Sequence, residues 1–237
     1  MAIIRVKNID DLRLPSEELM VWSRNKIYYK NGEYLKILNA YDRSLKNKIN
    51  YNRFKVLEEL SRLEDIRYLE LPQNMYITDD EFLGYSMHIC CGKPFLYLSD
   101  NVLISSIISM LNCLLEDIKK ISAKRILNPD IWSGNVLFDG YCLHLIDFDD
   151  CIYFDDVDMA YKIMGMNLFN LVIDRIVDSY DLKLLNDIDI NYIKMRIDSL
   201  KSADYVAFIN LLKLKLAKKN QEKVETVGDI RRCLKIG

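Results

Sequence analysis

The chain has little that would break or cross-link a fold. Among 237 residues there are four prolines and eight glycines, which excludes a Pro/Gly-rich linker, and no internal repeat is visible. Neither sign of charge prevails: 33 Lys and Arg against 35 Asp and Glu leave a formal net charge of −2, with the basic residues dispersed. A nucleic-acid partner needs a basic face, and this composition suggests none. The most apolar run, Val102 to Leu115, is too short to span a bilayer and is interrupted by Ser and Asn. The N-terminal stretch MAIIRVKNIDDL lacks the apolar core of a signal peptide. None of the six cysteines forms a C-x-x-C pair, and the only histidines, His88 and His144, are far in sequence from any such pair. Zinc-ligand spacing is therefore missing, and His144 reads as a packed strand residue. Together these absences lead us to expect a cytoplasmic protein with reduced, buried thiols and neither a membrane nor a nucleic-acid partner.

Half the residues are hydrophobic, enough for a sizeable core in one bilobal domain or two small ones. The informative stretch is Asp130 to Asp150, DIWSGNVLFDGYCLHLIDFDD. Val136 to Phe138 and Tyr141 to Ile146 predict two strands, with Asp139-Gly140 supplying a two-residue type I′ turn. Folding that hairpin brings Asn135, before the first strand, near Asp147, after the second, with Asp130 on the loop that enters it. Two carboxylates and an amide then meet at one end of a short ribbon, a set of oxygen donors that suits Mg²⁺. The plainer reading is a structural hairpin with solvated Asp and Asn at its ends.

Around this stretch the pattern alternates between sheet and helix. Met20 to Trp22 could form a strand, and Lys26 to Tyr29, an Asn31-Gly32 turn and Glu33 to Leu38 predict a second hairpin. Tyr51 to Glu64 carries Phe54, Leu57, Leu60 and Leu63 on one helical face. Phe82 to Ile89 reads as a strand, and Asn101 to Ser122 as an amphipathic helix with Leu103, Ile107, Leu111, Leu114, Ile118 and Ile121 on one stripe. Met159 to Val177, apolar nearly all round, predicts a buried helix; further helices are expected over Asn191 to Leu200, Asp204 to Lys218 with Asp204 as cap, and Val227 to Ile236.

The loop Asp130-x-x-x-x-Asn135, the hairpin and the following Ile146-Asp147-Phe148 resemble the core of the protein-kinase-like superfamily, whose catalytic loop precedes a metal-binding Asp-Phe-Gly. Asp149 stands where that glycine would be, and LIDFDD is also similar to aminoglycoside and choline phosphotransferases. The resemblance implies an α+β, bilobal fold: residues 1–90 as a small antiparallel sheet plus helix, and 91–237 as a mostly helical lobe. It implies ATP and Mg²⁺ as cofactors and a nucleotide and a hydroxyl acceptor as partners. Asp130 would orient that hydroxyl and take its proton; Asn135 and Asp147 would hold the metal. Lys36, in EYLKIL, would contact the α- and β-phosphates. Met87 would screen the adenine pocket, with His88 to Cys90 offering backbone bonds to the purine.

Departures from the family pattern are equally legible. The loop Trp22 to Asn25 has no glycine to close over phosphates. Arg53 occupies the helix position where a Glu would pair with Lys36, and Glu58 and Glu59 lie on another face. Asn128-Pro129 replaces the His before the catalytic Asp, and Trp132 replaces the basic residue two after it. Asp158 is expected to cap the buried helix and tie back the loop. Only ten residues separate Asp147 from Asp158, too few for the usual peptide-cradling segment. The resemblance implies transfer of the ATP γ-phosphoryl to a hydroxyl, of a protein in the first reading. A small-molecule kinase and a catalytically impaired binding module are the alternatives.

Overall fold

The computed structural model describes residues 2–19, 25–88, 90, 92–176 and 203–235. Within them the chain is a mixed α+β structure. Strand β1 (Ala2–Arg5) is followed by the hairpin β2 (Lys26–Lys30) and β3 (Glu33–Ile37), helix α1 (Lys48–Leu60), and the pair β4 (Pro72–Ile77) and β5 (Phe82–Met87). These strands form one five-stranded sheet in the order β1-β4-β5-β3-β2. The sheet is not wholly antiparallel, as expected from the resemblance, because β1 runs parallel to β4. The whole β2-β3-α1 excursion separates that pair, so no hairpin dictates its direction.

At the β2–β3 turn Asn31 (φ 53°) and Gly32 (φ 85°) both take the left-handed geometry of a type I′ turn, as the Asn-Gly signal predicts. Strand β3 is buried on both faces. Leu35 and Ile37 join Leu12, Tyr28 and Leu83 in a small cluster on one side of the sheet, while Lys36, at the intervening position, points to the other. Across the strand pair Lys36 faces Tyr85. Next to them Gly84 has φ +154°, and a Cβ there would lie 2.0 Å from the Lys36 carbonyl oxygen, so only glycine lets β3 and β5 approach this closely.

The remaining described elements are β6 (Lys93–Pro94), α2 (Ile104–Ala123), β7 (Ile126–Leu127), the hairpin β8 (Val136–Phe138) and β9 (Leu143–Leu145), β10 (Ile152–Tyr153), α3 (Val157–Ile176), α4 (Ala203–Asn220) and α5 (Val227–Lys235). One buried apolar cluster joins them to the sheet, running from Phe54, Met75 and Tyr85 through Leu114, Val136 and Phe148 to Val172 and Ile230. Helix α2 buries Ile107, Leu111, Leu114, Ile118 and Ile121 of its predicted stripe. Leu103 precedes the helix in an extended conformation, off the helical stripe, and is exposed. Among the described residues no helix is long and apolar enough to cross a membrane.

Three local expectations are corrected. The β8–β9 connection spans residues 139–142, with Phe138 opposite Leu143, and is no two-residue type I′ turn. Asp139 is not at positive φ; its Oδ1 instead accepts from the backbone N–H groups of Tyr141 (2.7 Å) and Cys142 (2.6 Å), an Asx-type closure that competes with the tighter turn. Helix α3 is capped by Asp156, whose Oδ1 accepts from Met159 N–H at 2.9 Å, while Asp158 lies exposed within the first turn. Asp204 likewise lies inside α4, as its second residue, rather than before it. The strand expected over Met20 to Trp22 and the helix over Asn191 to Leu200 fall outside the described residues.

Candidate functional site

The loop between β7 and β8 is held from below by Asn128, which is fully buried. Its Oδ1 accepts from the Asp130 backbone N–H (2.9 Å), and its Nδ2 donates to the Asp147 carbonyl (3.4 Å). One side chain thus fixes both ends of the constellation. Asn128 stands where the resembling families carry histidine, and the sequence had shown it only as a departure. From α3, Asn167 donates to the Pro129 carbonyl at 3.3 Å, doing the tying back that had been expected of Asp158.

Asn135 is buried and turns its Nδ2 to Asp130, 2.7 Å from Oδ2 and 3.1 Å from the backbone oxygen. Its own carbonyl accepts from Ile146 N–H (2.8 Å), which closes the open end of the hairpin and sets Asp147 beside it. Asp147 has φ 64°, in the left-handed region that Asp tolerates better than most residues. Its carboxylate meets Lys36: Nζ donates to Oδ1 at 2.6 Å. Asp130, Asn135, Asp147 and Lys36, drawn from separate parts of the chain, are therefore brought together. Partial burial, then the charges of Asp150 and Asp147, raise the Asp130 pKa above its ordinary value, against the bond from Asn135 and the charge of Lys36.

Lys36 is 2% exposed and needs more than one counter-charge. The second is Asp149, also buried, with Oδ2 at 2.6 Å from Nζ. Asp149 further accepts from the Tyr85 hydroxyl (2.7 Å) and from Asn25 Nδ2 (2.8 Å). Burial alone would lower the Lys36 pKa; the carboxylates of Asp149 and Asp147 reverse this and leave it above its ordinary value, so the ammonium stays charged. Asp149 thus supplies what the helix Glu supplies in the resembling families. Arg53 points instead to Asp42 (3.4 Å) and Asp150 (3.7 Å). Glu58 is held by Lys55 and Arg62, and Glu59 accepts from Tyr153. Sequence reasoning missed the role of Asp149, although LIDFDD contained it.

No protein-family model matches the chain, and a search of curated proteins finds no match. The site must be read from its own chemistry.

Oxygen donors at its mouth, with Asp147 part-exposed, suit a hard divalent cation: a carboxylate from Asp147 and the amide oxygen of Asn135, whose nitrogen is engaged by Asp130. The thiol of Cys151 is buried just behind, its pKa pushed well up by burial and by the surrounding aspartates, so it is an inert neutral group. On the outer side, a cleft of ≈ 250 Å³ is lined by Trp132, Asn167, Asn170, Asp174 and Arg175.

The nucleotide-base residues are placed more loosely. Met87 ends β5 with its side chain in the core, and His88 is exposed just after it. Cys90 is half-buried and turned to His144 rather than to Lys36 and Asp147. Residues 89 and 91, and the expected phosphate loop at 22–24, lie outside the described residues.

Proposed function

We propose that the chain is an ATP- and Mg²⁺-dependent phosphotransferase of protein-kinase-like, bilobal architecture, with the lobes meeting near residue 90. The observation that carries this reading is the buried Lys36 on β3 bonded to Asp147, with the Asp130–Asn135 pair alongside. A buried lysine needing two carboxylates has little structural purpose, since apolar residues of similar volume commonly stabilise a core as well or better. A triphosphate gives that charge a use.

In this reading Lys36 neutralises the α- and β-phosphates, and Asn135 and Asp147 would hold Mg²⁺, which when bound neutralises phosphate charge. Asp130, oriented by Asn128 and Asn135, takes the proton of the acceptor hydroxyl as the phosphoryl group is transferred. Asp149, bonded to Tyr85 and Asn25, keeps Lys36 extended toward the site. The connection His88 to Cys90 would offer backbone groups to the purine, beside Met87. Rate enhancement then comes from positioning and charge neutralisation rather than covalent chemistry.

A small-molecule acceptor is the reading favoured by the segment after Asp147. Residues 148–156 are used up by β10 and the cap of α3, leaving no extended stretch to cradle a peptide. Incubation with γ-labelled ATP and Mg²⁺, with protein and metabolite pools separated, tests both points. Wild type should transfer label, to metabolites on this reading. Asp130→Asn should bind nucleotide but lose transfer by at least ~100-fold. Wild type that neither binds nucleotide nor moves label would leave a binding module.

A further inference from the structure

Three residues before Asp147, on β9, His144 sits among side chains that the proposed phosphoryl transfer does not use. Its Nδ1 lies 3.1 Å from Glu70 Oε1, its Nε2 lies 3.2 Å from Asp139 Oδ2, and the Cys90 thiol lies close by. One donor atom from each of Glu70, Cys90 and His144 lies within 4.8 Å of the other two, and all three residues are half-buried. We propose that Glu70, Cys90 and His144 form a Zn²⁺ site, completed by water, that clamps the connection after β5 to the strand leading into Asp147.

The donor set selects the metal. A thiolate, an imidazole nitrogen and a carboxylate suit borderline-soft Zn²⁺, whereas Mg²⁺ and Ca²⁺ take oxygen and avoid sulfur. The far side of the ring supplies an independent sign. Asp139 is locked by the Tyr141 and Cys142 N–H groups on its Oδ1, and its Oδ2 faces His144 Nε2. A carboxylate there holds the proton on Nε2, so that a cation displacing the Nδ1 proton would meet a ring already oriented as histidine ligands are in metal sites. The four-residue closure of the β8–β9 hairpin, which replaced the tighter turn, is what places that carboxylate.

The backbone prepares the site. Glu70 N–H donates to the Leu145 carbonyl (2.9 Å) and Leu145 N–H to the Tyr68 carbonyl (2.8 Å), so Glu70 and His144 are neighbours before any ion arrives. Beyond Cys90 the chain pairs with the same hairpin, Lys93 opposite Phe138. A cation would join three segments already in register. Its charge of two is balanced by the thiolate and the Glu70 carboxylate. Without a cation the same groups hold His144 as an imidazolium, its pKa pushed up to about 11 by the neighbouring Cys90 and Glu70, against partial burial.

Metal-free full-length protein, prepared by chelator dialysis, would be titrated with Co²⁺ and then with Zn²⁺, following near-ultraviolet absorption and thermal unfolding. One equivalent of Co²⁺ should give a sulfur-to-cobalt charge-transfer band that Zn²⁺ abolishes, and Zn²⁺ should raise Tm. Cys90→Ser should remove the band and the Tm rise, while Cys113→Ser keeps both. Asp139→Asn should keep the band with affinity weakened ~10–100-fold. Should Cys90→Ser fail to match the far-ultraviolet circular dichroism of metal-free wild type, Glu70→Gln takes its place and should weaken Zn²⁺ binding. No stoichiometric binding by wild type, or a band that survives Cys90→Ser, overturns the proposal and leaves an ion-paired imidazolium. None of these readings depends on nucleotide binding.

Discussion

The side chain that decides the character of the site is Asp149. It is buried and accepts from Lys36, Tyr85 and Asn25 at 2.6 to 2.8 Å. Replacing it with Asn keeps the shape but removes one of the two charges that hold the Lys36 ammonium in a dry place. Lys36 keeps Asp147, so the cost should be that of one charged hydrogen bond, about 2 kcal/mol, read by urea unfolding. Nucleotide affinity should fall as well, because Lys36 would then swing fully onto Asp147. Glu58→Gln is the control: Glu58 is bound by Lys55 and Arg62, and its loss should leave nucleotide affinity unchanged. If Glu58→Gln weakens nucleotide binding as much as Asp149→Asn, then Asp149 is not the partner that positions Lys36. The difference in legibility between these residues is physical. Asp130, Asn135 and Asp147 could be paired from sequence because a hairpin carries its own geometry over a few residues. The Lys36–Asp149 bond joins segments that meet only through the sheet and the core, and no local pattern records it.

At the scale of elements, periodicity served well where burial was one-sided, as on α2, and where two positive φ angles were required, as at Asn31-Gly32; on α1 it found Phe54, Leu57 and Leu60, but the helix runs Lys48–Leu60 and leaves Leu63 beyond its end. It failed where short polar side chains had several bonding choices. Asp139 closed its own loop instead of entering a type I′ turn, and Asp156 rather than Asp158 capped α3. Helix α5 shows what such a choice contributes. Thr226 Oγ1 accepts from Asp229 N–H (3.1 Å), and Asp229 Oδ2 accepts from Thr226 and Glu225 N–H (both 2.9 Å), a reciprocal cap. The N–H bonds from Glu225 and Thr226 lower the Asp229 pKa below its ordinary 3.8. A carboxylate with a depressed folded pKa stabilises fully above its unfolded value and loses that contribution as pH falls through the folded one. Asp229→Ala should therefore cost about 1 kcal/mol at neutral pH. The gap from wild type should shrink steadily below pH ~4, where the unfolded carboxyl begins to take up its proton. Urea unfolding of both proteins across acid pH measures this, and a gap independent of pH would mean that the carboxylate charge is not what the cap uses.

At the scale of the whole molecule, the two ends of the site belong to different halves of the chain. Lys36, Tyr85 and Asn25 come from the sheet side, and Asp130, Asn135, Asp147 and Asp149 from the loop and hairpin that α2 and α3 support. Two ion pairs from one buried lysine bridge them, so a ligand that reaches Lys36 must exchange with those pairs. Lys36 neutralises the two carboxylates; under the proposed function Asp147 would be given over to Mg²⁺ and Lys36 would turn to phosphate. Binding of ATP should therefore be strongly metal-dependent, since a triphosphate alone would bring its charge against Asp130, Asp147 and Asp149 with one lysine to offset them. A ligand that binds only the folded state at 100 times its Kd adds about 2.7 kcal/mol to stability. Thermal unfolding should accordingly show a clear rise with ATP and Mg²⁺ together, little with ATP and excess chelator, and little with Mg²⁺ alone. Asp147→Asn, which tolerates the φ of 64° at this position, should remove most of the synergy by deleting a carboxylate charge, while leaving Lys36 paired with Asp149. ATP that stabilises wild type equally with and without Mg²⁺ would place the triphosphate on lysine alone and remove Asn135 and Asp147 from the role of metal ligands.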